Sequence, residues 1–190
     1  AGVDRMTHLV EQLLTLARVD PARQDTAPPP FDPAAVVTEV CAEWLPQAQR
    51  RGQSLSVDAA PGCRVAMTPA WLQIALRNLL DNALRYAGDG TRIEVRLLRT
   101  ASGCTLSVAD DGPGVAPALR AQLTSRFVRG DTESEGCGLG LSIAARVAAL
   151  SHARLELGDG LPRADGGHGF AAALHFGQVA GGSTIRPGTQ

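Results

Sequence analysis

The sequence contains no lysine, few aromatic residues and no long apolar run. All 18 of its basic residues are arginine, which we attribute to the codon usage of a GC-rich genome. Aromatic residues make up 4% of the chain, and the formal net charge is −1. No basic run is interleaved with aromatics, so neither nucleic acid nor an anionic membrane surface is an expected partner. A small molecule or another protein is expected instead.

Patterns of metal binding, disulfide bonding and membrane insertion are also missing. Cys41, Cys63, Cys104 and Cys137 form no CxxC pair and have no histidine at metal-ligand spacing, which favours a reducing cytoplasm. No apolar run reaches the about 18–20 residues that cross a bilayer, and no signal peptide is evident. We expect a soluble chain as given, and a fragment of a longer protein, because it begins inside a helical pattern.

The chain is long enough for one main domain with an accessory segment. Residues 1–19 have apolar positions at alternating spacings of three and four, which predicts a helix that packs against other helices. Residues 20–33 are rich in Pro, Ala and Asp and are predicted to be a linker. The main domain is predicted to span 34–176, and the Gly-rich tail 177–190 to be disordered.

Helical and strand-like segments follow each other in this domain without repeated βαβ units. The patterns predict a helix with Asp32 as N-cap and Pro33 at its first position, and a second helix that starts near Thr68 and Pro69. SLSVDA and CRVAM are predicted strands, and RIEVRLLRTASGCTLSVADDG a hairpin. A short helix in 115–123, a polar loop over 124–137, a helix over 139–150 and two final strands complete the prediction. We expect an α+β fold: a two-layer sandwich whose mixed sheet is covered on one face by about three helices.

The second predicted helix carries polar side chains beside its apolar face. Asn78, Asn82 and Arg85 lie at i, i+4 and i+7 and form one column, although Asn costs roughly 0.5–0.7 kcal/mol against Ala in a helix. An amide oxygen can ligate Mg²⁺, which takes its other ligands from water and substrate phosphates, and Asn82 is the better ligand candidate. Arg85 could reach a phosphate, and Tyr86 offers a ring for a base. The open alternative is that these residues cap loops over the domain.

Two glycine-bearing segments follow. In VADDGPGV, residues 108–115, glycines permit positive φ, and Asp110 could accept a hydrogen bond from an exocyclic amine such as that of adenine; a plain tight turn is the alternative. In GCGLGLSIAARV, Gly136, Gly138 and Gly140 precede a helix whose exposed N–H groups suit a polyphosphate. This segment is neither a Walker loop nor a dinucleotide fingerprint, and no protein-kinase motif accompanies it.

In order and spacing, NLLDNALRYA, VADDGPGV, RFVRG and GCGLGL resemble the N, G1, F and G2 boxes of the ATP-binding catalytic domain of sensor histidine kinases. LVEQLLTLARVD resembles the end of the second dimerisation helix in the QseC-like branch of these kinases, so the resemblance extends from about residue 3 to 176. It implies a Bergerat (GHKL-type) fold, ATP and Mg²⁺ as ligands, and protein-histidine kinase activity. It also implies a response regulator as partner, a homodimer in the full-length protein, and a cytoplasmic place within an inner-membrane sensor.

The resemblance further implies a role for each motif residue. Asn78 and Asn82 would flank Mg²⁺, with Asn82 the more direct ligand, while Arg85 would meet phosphate and Tyr86 the base. Asp110 would recognise the adenine amine. The other implied contacts are Gly112 and Gly114, which shape the pocket, Phe127 and Arg129 of a lid over 124–137, and Gly136, Cys137, Gly138, Leu139 and Gly140 around the phosphates.

The chain departs from the family pattern at a few places. Thr124 stands where an aromatic residue is usual, and Cys137 where Ser or Thr is common. The family's phosphorylated histidine precedes an acidic residue and an LRTP-like run, so we expect it to lie outside this chain. Four histidines lack these surroundings and are expected to be structural: His8, His152, His168 and His175.

Two other functions stay open at this level. One is a GHKL-type ATPase that drives conformational change, against which the preceding helix and proline-rich linker argue. The other is a nucleotide-sensing module without transfer activity, against which the retention of Asn82, Asp110, Arg129 and the glycines argues.

Overall fold

The computed structural model describes residues 28–120, 122–123 and 140–179. The predicted helix over 1–19, residues 20–27 of the linker, the whole of the predicted loop over 124–137 and the tail after 179 lie outside the described residues. The helices are α1 (Ala34–Arg50), α2 (Pro69–Tyr86), α3 (Pro117–Arg120) and α4 (Gly140–Leu150). The strands are β1 (Ser54–Ala59), β2 (Arg92–Thr100), β3 (Gly103–Asp110), β4 (Arg154–Pro162) and β5 (His168–Gly177).

The five strands form one mixed sheet in the order β1-β2-β3-β5-β4. β1 runs parallel to β2, and all other neighbours are antiparallel. The two predicted hairpins, β2–β3 and β4–β5, are both present. β5, the last strand in the described part of the chain, therefore lies between β3 and β4, which brings its beginning beside the end of β3.

The core lies on one face of the sheet. Ile93, Val95 and Leu97 alternate along β2 and are buried, and their neighbours Val108 and Leu106 on β3 continue the same face. Helices α1, α2 and α4 contribute buried apolar residues to the same cluster. The predicted two-layer α+β sandwich, with three helices on one face, is confirmed.

Helix α2 is the element on which the site is built, and it has 18 residues. Its predicted buried face is confirmed, because an apolar stripe at helical spacing packs on the sheet. Its other side is polar. The buried stripe consists of Leu72, Leu76, Leu79, Leu80 and Ala83.

None of the helices that the structure describes combines the length and the apolarity of a bilayer-spanning segment.

The prediction of a strand at CRVAM is wrong. The backbone there makes a single antiparallel bridge, in which Phe31 and Val65 exchange N–H···O bonds of 3.1 and 3.0 Å. Pro29 and Pro33, two residues on either side of Phe31, lack the N–H groups that the next hydrogen-bonded pairs of a longer antiparallel ladder would require, so the pairing stops after one residue. The alternating pattern of CRVAM reflects burial of Val65 and its second neighbours, and Phe31 shows that part of the predicted linker packs on the domain.

Helix α1 begins one residue later than predicted. Pro33 is the N-cap and Ala34 the first helical residue. Asp32 still serves the helix start, because its Oδ1 accepts a hydrogen bond from the Ala34 N–H at 3.0 Å. Its Oδ2 accepts from the Gly62 N–H at 2.7 Å, so the carboxylate also connects the helix start to the loop that precedes Val65.

Three of the four histidines lie in the described residues and occupy the predicted places. His152 follows α4, with φ of 51°, while His168 and His175 belong to β5. The Nδ1 of His175 is 3.1 Å from the Thr105 Oγ1, so this side chain joins two strands.

Candidate functional site

The polar column of α2, formed by Asn78, Asn82 and Arg85, is buried at its first residue and half-buried at the other two. Asn78 is 7% exposed, and its Nδ2 donates to the carbonyl oxygen of Ile74 at 2.7 Å. Asn82, one turn further, is half-buried. The Nε of Arg85 donates to the Asp81 Oδ1 at 2.9 Å, which fixes the guanidinium along the helix. The column therefore offers amide and guanidinium groups beside a buried apolar face.

The first residue of α4 lies against this column. A Cβ placed on Gly140 would be 3.5 Å from both the backbone oxygen and the Oδ1 of Asn78. The start of a helix, where backbone N–H groups are unpaired, is thus next to the N-terminal end of the column. The remaining predicted contacts lie outside the described residues, and their roles stay predictions: Phe127, Arg129, Gly136, Cys137, Gly138 and Leu139.

Asp110, the last residue of β3, has a buried and well-oriented carboxylate. It is 4% exposed, and its Oδ1 accepts hydrogen bonds from the N–H groups of Gly112 at 2.9 Å and Phe170 at 3.2 Å. Within the part of the chain that the structure describes, no hydrogen bond reaches Oδ2. One oxygen is therefore held by the backbone, and the other is left for an incoming donor.

Burial raises the pKa of Asp110 above its ordinary value. The hydrogen bonds from Gly112 and Phe170 act in the opposite direction, and the charge of Asp111 adds to the increase. An ionised carboxylate at this depth costs folding free energy unless a donor compensates it. Such perturbed groups concentrate at functional sites.

The turn after Asp110 is wedged between α2 and β5. A Cβ on Gly112 would lie 2.4 Å from the Cα and 2.5 Å from the carbonyl oxygen of Ala87, the residue that follows α2. Gly114 has φ of +70°, and a Cβ there would lie 2.5 Å from the His168 oxygen. Both positions require glycine. Through Ala87 the turn adjoins Tyr86, which is 36% exposed at the end of the polar column.

Two glycines that the sequence analysis missed complete this arrangement. A Cβ on Gly169 of β5 would lie 1.9 Å from the carbonyl oxygen of Asp110, and one on Gly160 of β4 would lie 2.4 Å from the same atom. Their position inside predicted strands was a usable signal, because glycine there often marks the close approach of another backbone segment. The sequence does not indicate which segment approaches.

Asp111 is a third residue that the sequence analysis missed. Its Oδ1 accepts from the Arg92 N–H at 2.6 Å and its Oδ2 from the Arg92 Nε at 2.7 Å. The Nη2 of Arg92 also donates to the Pro162 oxygen at 3.0 Å. This network joins the ends of β2, β3 and β4 behind Asp110.

Asp111→Asn should lower the free energy of unfolding by about 1 kcal/mol at pH 7, a modest value because Arg92 is largely exposed. Burial alone would raise the pKa of Asp111, but hydrogen bonds from the side chain and backbone of Arg92, with its charge, lower it. A lowered folded-state pKa gives stability that is present above the unfolded pKa and is lost as pH falls through the folded pKa. Urea unfolding at pH 7 and in acid measures this, and an equal loss at both would contradict it.

The site contains few candidate metal ligands of the usual kinds. No group of three or more His, Cys, Asp and Glu side chains that could hold a metal ion occurs in residues 28–120, 122–123 and 140–179. A cation beside α2 would therefore rely on amide oxygens, water and the oxygens of a bound polyphosphate, which is a shell that suits Mg²⁺.

The polar column, the buried carboxylate and the glycine turn all lie in a segment that matches a known protein family. Residues 67–185 match the family model described as histidine kinase-, DNA gyrase B- and HSP90-like ATPase. The chain belongs to this family. The match contains α2, the β2–β3 hairpin, the turn after Asp110 and α4, which are the elements that form the site of this ATPase domain.

Individual relatives show which members of this family the chain resembles. The ATPase domain is 36% identical over 175 residues to the swarming motility regulation sensor protein RssA of Serratia marcescens, covering 91% of this chain and 37% of that protein. It resembles the structure of the cytoplasmic segment of histidine kinase QseC with a TM-score of 0.60 and 27% identity, covering 93% of this chain and 95% of that one. It also resembles full-length ShkA in complex with AMPPNP, with a TM-score of 0.72 and 26% identity, covering 94% of this chain and 37% of that one.

These similarities confirm the predicted ATP-binding domain of the sensor histidine kinase type. The chain spans little more than a third of the length of the curated relatives that it matches, 37% for the first and 35% for the second. What the whole protein does is therefore a separate matter from the family of this domain.

Proposed function

We propose that this chain is the catalytic part of a sensor histidine kinase, which presents the γ-phosphoryl group of Mg²⁺-bound ATP to a histidine outside the chain. One observation carries the proposal: the polar column of α2 runs between the buried Asp110 side chain, whose Oδ2 is open to a donor, and the start of α4 at Gly140. Asn78 and Ala87, which mark the two contacts, are about 14 Å apart along the helix. Such a length suits a base at one end and a polyphosphate at the other.

The residues present fit this ligand. The Oδ2 of Asp110 accepts from the adenine amine, and the ring of Tyr86 lies beside the base. The amide oxygens of Asn82 and Asn78 are hard ligands for Mg²⁺, and Arg85 contacts phosphate. When bound, Mg²⁺ and ATP supply the phosphoryl group and offset its negative charge. Three further positions complete the proposal: Arg129 approaches from the lid, and Gly136 and Gly138 donate backbone N–H groups to phosphate.

Asn82→Ala should weaken ATP binding about tenfold in the presence of Mg²⁺ and have little effect in its absence, because it removes one charge-assisted ligand contact. Calorimetric titration with and without Mg²⁺ measures this. Gln73→Ala is the matched control, since Gln73 is also a half-buried polar residue of α2 but lies before the column. Wild-type affinity in Asn82→Ala would remove Asn82 from the metal site.

Phosphotransfer tests the proposed function directly. The 190-residue chain, incubated with γ-labelled ATP, should bind nucleotide without labelling itself. Addition of a separately made histidine kinase dimerisation domain should produce acid-labile label on that domain. Label on the chain alone that disappears in His8→Ala would overturn the placement of the acceptor, and steady ATP hydrolysis without transfer would favour the ATPase alternative.

We infer further that the whole protein is a homodimeric sensor of the inner membrane, that this domain is cytoplasmic, and that a response regulator receives the phosphoryl group. The support is similarity: the relative RssA is named a sensor protein, and the matched QseC structure is a cytoplasmic segment. Co-purification of the full-length protein with membranes, and transfer from it to a response regulator, are the corresponding tests.

A further inference from the structure

The C-terminal end of α2 is held by one buried side chain from the loop before β1. Gln53 is 4% exposed, and its Nε2 donates to the carbonyl oxygens of Leu84 at 3.0 Å and Gly88 at 2.8 Å. Leu84 lies in the last turn of α2, and Gly88, with φ of +92°, follows the C-cap residue Ala87. A single amide therefore bridges the backbone on both sides of Ala87.

This bridge is not needed to satisfy the two carbonyl groups. The Leu84 oxygen also accepts from the Nη1 of Arg51, and the Gly88 oxygen accepts from the Thr91 Oγ1 at 2.7 Å. The Oε1 of Gln53 is buried and has no hydrogen-bond partner among the described residues, which costs free energy. The contribution of the amide is instead to link the backbone at Leu84 to the backbone at Gly88.

The linked backbone is the surface on which the glycine turn rests. Ala87 contacts Gly112 so closely that a Cβ on Gly112 would lie 2.4 Å from the Ala87 Cα. The N–H of Gly112 donates to the Oδ1 of Asp110 at 2.9 Å. Contacts thus run without a gap from Gln53, through the end of α2 and the turn, to the buried carboxylate.

We propose that Gln53 is a positioning residue for adenine recognition. By fixing the backbone around Ala87 it holds Gly112 in place, and Gly112 in turn keeps the Oδ2 of Asp110 directed at the exocyclic amine. Gln53 itself touches no part of the nucleotide in this account, which rests on the proposed ATP site. Its effect is on the base and not on the metal, because the proposed metal ligands Asn82 and Asn78 lie one and two turns before the end of α2.

Gln53→Met separates this role from stability. Methionine has a similar length and volume, removes the bridging donors together with the unpaired Oε1, and leaves each carbonyl its second donor. We expect the Kd for ATP and for ADP to rise equally, by about fivefold. Guanine has a carbonyl where adenine has the amine and gains nothing from the Oδ2 of Asp110, so the Kd for GTP should hardly change. The preference for ATP over GTP then falls by the same factor, and the dependence on Mg²⁺ is retained. Competition against a fluorescent ATP analogue measures all three nucleotides.

Val37→Ala is the control, because it removes buried methyl groups from α1 and lowers stability without touching the end of α2. It should leave the ATP-over-GTP preference unchanged. If Gln53→Met does not fold, Gln53→Asn replaces it, since the shorter amide cannot span both carbonyls. An unchanged preference in the Gln53 variant, or the same decrease in Val37→Ala, overturns the inference alone. A wild-type chain that binds no ATP overturns the proposed function and the inference with it.

Discussion

Asp110→Asn should weaken ATP binding by roughly ten- to a hundredfold without lowering the stability of the domain at neutral pH. The asparagine Oδ1 can accept the same hydrogen bonds from the N–H groups of Gly112 and Phe170. Its Nδ2 then stands where the Oδ2 of Asp110 was. Two donors, the amide and the adenine amine, would face each other, and neither would be satisfied.

The stability of this variant should depend on pH in a defined direction. Burial raises the folded-state pKa of Asp110, so ionisation costs the wild type folding free energy as pH rises through the ordinary carboxyl pKa, and the full cost is present above the raised folded pKa. The amide of the variant does not ionise and is free of that cost. The variant should therefore equal the wild type in acid and match or exceed its unfolding free energy at pH 7, which urea titration measures.

Asp58→Asn is the matched control for both measurements, because Asp58 is exposed on the edge strand β1. It should leave both the ATP affinity and the free energy of unfolding at pH 7 unchanged. A variant at Asp110 that is markedly less stable than the wild type at pH 7, or that binds ATP normally, would contradict the assignment of a buried carboxylate whose Oδ2 is open to a donor.

Gly169→Ala should lower the free energy of unfolding by about 3 kcal/mol, at the upper end of the usual cost of overpacking. Its Cβ would lie 1.9 Å from the carbonyl oxygen and 2.5 Å from the carbonyl carbon of Asp110, and 2.8 Å from the Asp111 Cα. These are backbone atoms in paired strands and cannot move aside as a flexible side chain could. The end of β3 must shift, so ATP affinity should also fall.

Gly158→Ala provides the comparison within the same hairpin. Gly158 belongs to β4, and a Cβ there has nothing within 4 Å. Because alanine loses less conformational entropy than glycine on folding, this variant should be unchanged or stabilised by roughly 0.5–1 kcal/mol. Unfolding curves of both variants and calorimetric ATP titration make the measurement. Similar stability of the two variants would show that the Asp110 backbone does not constrain position 169.

The elements that the sequence predicted well are those whose signal is local. The stripe of Leu72, Leu76 and Leu80 has helical spacing, and Thr68 with Pro69 marks the start of α2, so both the helix and its buried face follow from neighbouring residues. CRVAM also has a local signal, an alternating pattern of burial, but the strand predicted from it is absent. Its alternation reports burial of Val65, whereas a strand also needs a partner with free N–H groups.

The residues of the candidate site likewise fall into those with a local sequence signal and those without one. Asn78, Asn82 and Asp110 were selected from residue type and spacing, and the structure places Asn78 beside Gly140 and Gly112 beside the end of α2. Gln53 escaped notice because a single glutamine before a strand carries no pattern. Its importance arises from burial against carbonyl groups 31 and 35 residues further along the chain.

By itself the sequence determined the periods of burial, the turns and the order of the motifs, and through them the family and the α+β class, and it led to the residues that we propose to contact a nucleotide. These properties depend on interactions between near neighbours. The tertiary structure alone decided that β5 lies between β3 and β4, and with it that the Phe170 N–H and the Gly169 backbone meet Asp110, 60 residues away in the chain in the case of Phe170. Strand order is set by which pairings bury the whole core and satisfy the backbone together, and no single segment contains that information.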